Sequence, residues 1–452
     1  MSSAPQQSHL QIDISNKQIL SIALPIAAAM LVPQLNFITN NIFLAGLGEV
    51  ELGLAGITGV YYLIFAVIGM GLNNGLQALI SRRAGENRIG EIGALFNNGL
   101  AIALAMALIG IAATYLLAPP ILRFSMHNQE HVQVALDFLY IRIWGLPFLY
   151  IYQMRNALLV GTNNSRYLII GTFAEAIANV FFDYGLIYGK LGMPNMGFNG
   201  AAVASIIAEA TGLFVIFLVM RFKGITKRLE LFKQFTLDRS HSSLILNLST
   251  PLILQHAISI ISWEFFYILI EHHGTQALAV SNTMRNIFGA FGCIVWAFAA
   301  TTNTMVSNVI GQGLEHRVHE LLSKIIKLCF GITFCIVLVL NIAPAEILSI
   351  YGQSEAFIEA AVPVVRIVSV ALLMMSVAVI YFNAVIGTGN SKINLIVEIA
   401  AIICYCLYVY LTLEHFDLHI TIGWMSEWLY WSVLFLPSFL YMRSNRWKLR
   451  RI

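Results

Sequence analysis

Twelve apolar runs order this 452-residue chain, each about as long as a helix needs to cross roughly 30 Å of bilayer hydrocarbon. They lie near residues 18 to 45, 53 to 79, 93 to 118, 134 to 160, 168 to 189 and 200 to 221, and then 244 to 270, 278 to 308, 322 to 343, 359 to 386, 393 to 413 and 421 to 442. Hydrocarbon offers no partner to a backbone N–H or C=O, so a segment that enters it pairs its backbone internally, as an α-helix does. Only 11% of the residues are charged, against roughly 25% in a soluble domain. With 58% of the residues hydrophobic, a soluble globular fold is excluded. The pattern predicts an all-α polytopic membrane protein with twelve transmembrane helices.

The N-terminal stretch, Met1 to Asn16, is polar and has no basic region leading into a short apolar core, so the first run reads as a true span rather than a cleaved leader. Connections on one side carry Arg82, Arg83, Arg88, Arg166, Lys223, Lys227, Arg228, Lys233, Arg239, Arg317, Lys324 and Lys392, and the tail adds Arg443, Arg446, Lys448, Arg450 and Arg451. The opposite side carries only Arg123 and Lys190. The positive-inside rule then puts both termini in the cytoplasm, and a bacterial inner membrane is the expected location. The basic tail reads as topogenic and lipid-facing, not as a nucleic-acid site.

All five cysteines, Cys293, Cys329, Cys335, Cys404 and Cys406, fall in apolar segments, which suits packing. The histidines form no metal constellation. No nucleophile–base pair, phosphate loop or His-Glu-x-x-His pattern is found, so an enzyme is not expected.

Sliding the chain against itself by 226 positions pairs Pro25 with Pro251, Gly48 with Gly274, Leu52 with Leu278, Phe65 with Phe291, Ser81 with Ser307 and Gly85 with Gly311. At the same offset Gly161-Thr-Asn-Asn-Ser-Arg166 falls on Gly387-Thr-Gly-Asn-Ser-Lys392 without a gap. Each repeat holds six helices, an even number, so both enter the membrane in the same direction. Two parallel six-helix repeats are a transporter architecture. The expected organisation is an N-lobe over 1–221, a cytoplasmic linker over 222–243, and a C-lobe with its basic tail over 244–452. Such a repeat needs no partner subunit, so a monomer is expected.

Within the fifth run, Glu175, Asn179 and Asp183 recur at i, i+4 and i+8 and form a stripe on one helix face. An ionised Asp at the centre of a bilayer helix costs about 3 kcal/mol on insertion scales, so such residues face a cavity and bind or relay cations. A hydrogen bond to a neighbouring helix is the structural alternative for Asp183 and Asn179. Glu175 either extends a proton path inward or bonds within the lobe. Asn36 and Asn40, one turn apart on the first helix, line a wet cavity or join helices. In the second half, Glu264 between Trp263 and Tyr267 suits an amphiphilic cation held by charge and ring contact, or else pairs with Arg285. Glu209 and Glu398 also fall inside spans, each with a partner or a role.

The sequence resembles the multidrug and toxic compound extrusion (MATE) family. Ala23-Leu-Pro25, Gly46-Leu-Gly48, Gln77-Ala-Leu-Ile-Ser-Arg-Arg-Ala-Gly85, Arg155-Asn-Ala-Leu-Leu-Val-Gly-Thr162, Asn179-Val-Phe-Phe-Asp183 and Gly200-Ala-Ala-Val-Ala-Ser205 carry the resemblance, over nearly the whole chain. It implies two six-helix lobes and a secondary antiporter that exports organic cations or amphiphiles in exchange for H⁺ or Na⁺. It also implies a cation site on Asn179 and Asp183 of helix five, Ser205 of helix six and the helix-one position eight residues before Gly48. That position is Asn40 where the family carries Asp, which removes one carboxylate from the set.

Helices one and five both run outward and helix six runs inward, so Asn40, Asp183 and Ser205 share one depth. Oxygen ligands of this kind suit a hard cation such as Na⁺ at Asp183 and Asn179. A lone carboxylate stripped of water also takes up a proton and so carries one. No cofactor is expected beyond the coupling ion. At the matching offset the second half has Phe266, Tyr405 and Val409, with no carboxylate. The expected partners are the bilayer and a small cationic or amphiphilic substrate. Alternative readings are a flippase for a lipid-linked precursor, for which Arg142, Arg155, Arg285 and Arg366 would meet an anionic head group, and a channel-like or receptor-like membrane protein.

Overall fold

The computed structural model describes residues 10–126, 128–233, 238–349 and 354–449, which form helices and their connections with no β-strand among them. The long helices are α1 (Asn16–Ala45), α2 (Glu49–Gly85), α3 (Ile89–Ser125), α4 (Gln129–Gly161), α5 (Ser165–Tyr188), α6 (Gly197–Phe222), α7 (Arg239–Glu271), α8 (Thr275–Gly311), α9 (Glu315–Ile342), α10 (Glu355–Gly387) and α11 (Ser391–His415). All eleven are long and apolar enough to cross a membrane. The twelfth, α12 (Ser426–Arg443), has 18 residues, about 27 Å at 1.5 Å per residue. The chain is therefore an all-α polytopic membrane protein of two six-helix repeats.

The repeat is visible in the backbone itself. Offset by 226, α2 coincides with α8 and α4 with α10, end for end, and α3 and α5 begin where α9 and α11 begin. The turns that separate them match too. Left-handed φ values occur at Gly48 (154°) and Gly274 (97°), at Asn87 (58°) and Gly313 (74°), and at Asn163 (60°) and Gly389 (88°). Glycine takes such angles without a Cβ penalty and asparagine tolerates them best among the other residues. Hence Asn and Gly exchange at these positions while the turn stays the same.

Contacts divide the chain into two units, Ala28–Ser249 on one hand, and the residues up to Ala27 with Thr250–Ile452 on the other. The segment before α1 belongs with the second unit. Leu10, Ile12 and Ile14 are buried there. Ile12 N–H donates to Asn308 Oδ1 (3.1 Å), Asn308 Nδ2 to the Leu10 carbonyl (3.0 Å), and Lys324 Nζ to the Ile14 carbonyl (3.0 Å). The segment before α7 is held in the first unit by matching means. Asp238 N–H and Ser242 Oγ both donate to Asn98 Oδ1 (2.9 and 3.1 Å), and Asn98 lies 226 positions before Lys324.

Two departures from regular helix have local causes. In α4 a 3₁₀ turn over Ile143–Gly145 precedes Pro147, whose ring lacks the N–H that would bond the Ile143 carbonyl, and Leu146 N–H takes that carbonyl instead. The last span, expected from residue 421, starts as a separate turn, Ile420–Gly423, capped by His419, and α12 follows only at Ser426. Trp424 between them is fully buried, with its indole N–H on Ser281 Oγ (3.1 Å). By contrast, α1 and α7 run through Pro25, Pro33 and Pro251 without a break.

In the first unit α5 and α6 pack through glycines. A Cβ on Gly200 would stand 2.7 Å from the carbonyl carbon and oxygen of Leu186, and one on Gly212 3.0 Å from the Gly171 carbonyl oxygen. Gly200→Ala is expected to lower stability by about 1–3 kcal/mol through overpacking. Gly56→Ala, where nothing lies within 4 Å, should be neutral or slightly stabilising. Thermal unfolding of the two purified variants beside the parent protein checks this pair.

Candidate functional site

Asn179 and Asp183 sit one turn apart on α5, both buried, with Asp183 wholly inaccessible. Asn40 on α1 faces them. Its amide is oriented with the nitrogen inward, the orientation in which donor meets acceptor. Asn40 Nδ2 donates to Asp183 Oδ2 (2.5 Å), to Asn179 Oδ1 (2.8 Å) and to the Asn36 carbonyl (3.2 Å). Asn36 therefore contributes its backbone oxygen. An amide nitrogen has two hydrogens, so three oxygens converge on a group that can satisfy two of them at a time.

The match between α1 and α5 is held one turn further along both helices. There Tyr188 Oη donates to the Phe43 carbonyl (2.6 Å) and the two rings meet edge to face. Asp183 Oδ1, by contrast, is buried with no hydrogen-bond partner among the described residues, and neither lysine nor arginine forms an ion pair with Asp183 there. A carboxylate so placed is completed by a proton or a cation.

Ser205 is half-buried on α6 and hydrogen-bonds to none of these three. The glycine contacts that set Gly200 against Leu186 and Gly212 against Gly171 run the two helices antiparallel, which puts Ser205 opposite the Asn179 to Asp183 turn. The geometry thus brings Asn36, Asn40, Asn179 and Asp183 together and leaves Ser205 at their level.

One turn inward from Asn179, Glu175 packs on Gly212 and lies within electrostatic reach of Glu209, Arg155 and Arg142. Arg142 of α4 and Glu209 of α6 form a bidentate pair (Nη2 to Oε1 2.5 Å, Nη1 to Oε2 3.2 Å), with the guanidinium 4.1 Å over the Tyr62 ring. A planar fork of this kind matches a carboxylate in both geometry and charge. Gly145 leaves room for the pair, because a Cβ there would stand 2.8 Å from Glu209 Oε2. Buried Arg155 stacks on Tyr152 (4.2 Å) and donates to Asn156 Oδ1 (2.8 Å). Sequence reasoning places Arg142 and Glu209 inside spans but does not join them. The signal that would is their shared cost, since two opposite charges at bilayer depth each need a partner.

In the second unit Tyr267 is engaged on both sides. Its hydroxyl donates to the Ser281 carbonyl (3.1 Å), and Arg285 lies 4.6 Å over its ring while bonding Asn282 Oδ1 (2.9 Å). Among the described residues Glu264 forms no ion pair with Arg285.

The MatE family model matches residues 25–185 and 251–411, two stretches offset by the same 226 positions. A probable multidrug resistance protein NorM of Thermotoga maritima is 23% identical over 443 residues, covering 96% of this chain and 94% of its own. The multidrug resistance protein MdtK of Yersinia pestis is 22% identical over 66% of each chain. Among solved structures, a MOP superfamily transporter from Pyrococcus furiosus, described as having a binding pocket of reverse polarity, superposes with a TM-score of 0.88 at 18% identity, over 98% of both chains. An outward-facing multidrug resistance MATE family transporter gives 0.87 at 18% identity, also over 98% of both chains. Similarity at that level shows the shared fold.

Two outcomes test the geometry. Glu209→Ala leaves Arg142 buried without its carboxylate and should cost about 3–5 kcal/mol, while the double change Arg142→Met/Glu209→Leu should lie nearer the parent. Thermal unfolding reads both. Asn40→Asp replaces the inward-facing amide with a second carboxylate, and is expected to tighten Na⁺ binding by about tenfold or more, roughly 1.4 kcal/mol, read by titration calorimetry.

Proposed function

Because this chain belongs to the MatE family, we propose that it is a secondary antiporter which exports organic cations or amphiphilic compounds from a bacterial inner membrane, both termini being cytoplasmic. The observation that carries this reading is Asp183, buried at bilayer depth, with one oxygen held by Asn40 and the other without a partner among the described residues. The relatives named as multidrug resistance proteins support the substrate class.

H⁺ is the coupling ion that this donor set favours. A proton added to Asp183 Oδ1 leaves the Asn40 bond to Oδ2 in place. Na⁺, which needs oxygen ligands, would require Asn40 to turn its amide round and present Oδ1. Protonation from outside converts Asp183 to a neutral acid and weakens its hold on a cationic substrate. Release of the proton inside restores the charge. Such exchange needs a difference in affinity between states rather than tight binding in one.

The flippase alternative would use arginines free to meet an anionic head group. Arg142 is committed to Glu209 and Arg285 to Tyr267 and Asn282, which supports the antiporter.

Efflux of a fluorescent organic cation from proteoliposomes under separately imposed gradients tests the proposal. An H⁺ gradient should drive efflux by the parent protein and a Na⁺ gradient should not. Asp183→Asn should reduce efflux to the level of protein-free vesicles, and full efflux by that variant overturns the mechanism.

A further inference from the structure

In the second unit the positions that match Asn40, Asn179, Asp183 and Ser205 are Phe266, Tyr405, Val409 and Trp431. The polar site of the first unit is replaced there by packed rings. Phe266 meets Tyr405 at 6.1 Å, Tyr405 meets Tyr430 at 5.9 Å, and Tyr430 meets Trp431 at 4.8 Å between centroids. Beside these rings the chain places two carboxyl groups with no counterpart in the first unit. Glu398 of α11 stands where the first repeat has Thr172, and Glu427 of α12 where it has Ala201.

Both are buried, at 1% and 5% exposure. Glu398 Oε1 accepts from Ser259 Oγ of α7 (2.5 Å) and from Tyr430 Oη of α12 (2.6 Å). Glu427 Oε2 accepts from Trp431 Nε1 (3.0 Å). Among the described residues no lysine or arginine forms an ion pair with either. The groups that bear on them are Tyr405 of α11 and Tyr267 of α7 on Glu427, and Tyr430 on both; Arg285 of α8 lies over the Tyr267 ring and bonds Asn282, and His256 lies one turn from Ser259 on α7. The Tyr405 hydroxyl and the Ser426 Oγ are buried side by side, and Tyr405 lies close enough to Glu427 to feel its charge.

We propose that Glu398 and Glu427 form a proton-binding site of the second unit, distinct from Asp183, with Tyr430 hydrogen-bonded to Glu398 and within electrostatic reach of Glu427. Two buried carboxyls without a basic partner are completed by protons or cations. The surrounding groups disfavour a metal ion. Trp431 offers only an N–H, with no lone pair for a metal ion, and the bonds to both carboxyls come from donors. A protonated Glu427 gains an O–H to give, and the Tyr405 and Ser426 hydroxyl oxygens in the same cluster keep lone pairs to accept it. As a proton site the pair stands on this geometry alone. As a second coupling site it rests on the antiporter reading.

Infrared difference spectra of the purified full chain in lipid nanodiscs, taken between alkaline and acidic buffer, read carboxyl protonation directly. Asp183→Asn should keep two carboxyl bands that appear on acidification. Glu398→Gln and Glu427→Gln should each lose one of them, and the double variant both. Tyr430→Phe removes a hydrogen bond to Glu398 and should shift that band without abolishing it, which guards against a folding defect in the glutamine variants. Acid-induced bands in the double variant that match the parent's overturn the proposal. The readout needs no transport: parent-like bands in the double variant with efflux lost in Asp183→Asn mark a failure here alone, and efflux intact in Asp183→Asn with the bands lost in the double variant marks a failure of the Asp183 mechanism alone.

Discussion

Hydrocarbon supplies no hydrogen-bond partner and no counter-ion, and the rest of this molecule follows from that absence. Backbone groups satisfy themselves in helices, which is why each apolar run is one. Polar side chains inside the spans have to satisfy one another, and they collect into a few closed groups: Asn36, Asn40, Asn179 and Asp183; Arg142 with Glu209; and Glu398 with Ser259 and Tyr430. What sets these groups apart is whether the carboxylate meets a fixed positive charge.

Glu209 does. Its bidentate bond to Arg142 neutralises both, so the pair holds α4 against α6 and has little left to offer a mobile ion. Among the described residues Asp183 does not, and the amide of Asn40 that bonds it is neutral. Asp183 faces α1 near the C-terminal end of α5, while the Arg142–Glu209 pair joins α4 to α6. Glycines at 171, 200 and 212 bring α5 and α6 into close backbone contact.

The two repeats share a backbone and divide the chemistry. Matching helix bounds and matching left-handed turns show that one scaffold was used twice. On that scaffold, positions that carry Asn40, Asn179, Asp183 and Ser205 in the first unit carry Phe266, Tyr405, Val409 and Trp431 in the second. A backbone position sets where a side chain begins, not what it does. The carboxyls of the second unit accordingly enter from Glu398 and Glu427, positions that are Thr and Ala in the first.

Twelve spans, the repeat at 226 and the common depth of Asn40 and Asp183 were all legible in the chain, because apolar length, turn residues and helical rise are local properties read along one dimension. The Asn and Gly positions at 163 and 389 already announced a turn of one shape. What the chain could not announce were the partners: Arg142 with Glu209 across 67 residues, Arg285 on the Tyr267 ring rather than on Glu264, and Glu427 joined to Trp431 beside the aromatic cluster. The break at Ile143–Gly145 and the late start of α12 belong with these. Each depends on how one helix is rotated and staggered against another. That rotation is decided by close packing at glycines and buried rings, and only the tertiary structure holds it.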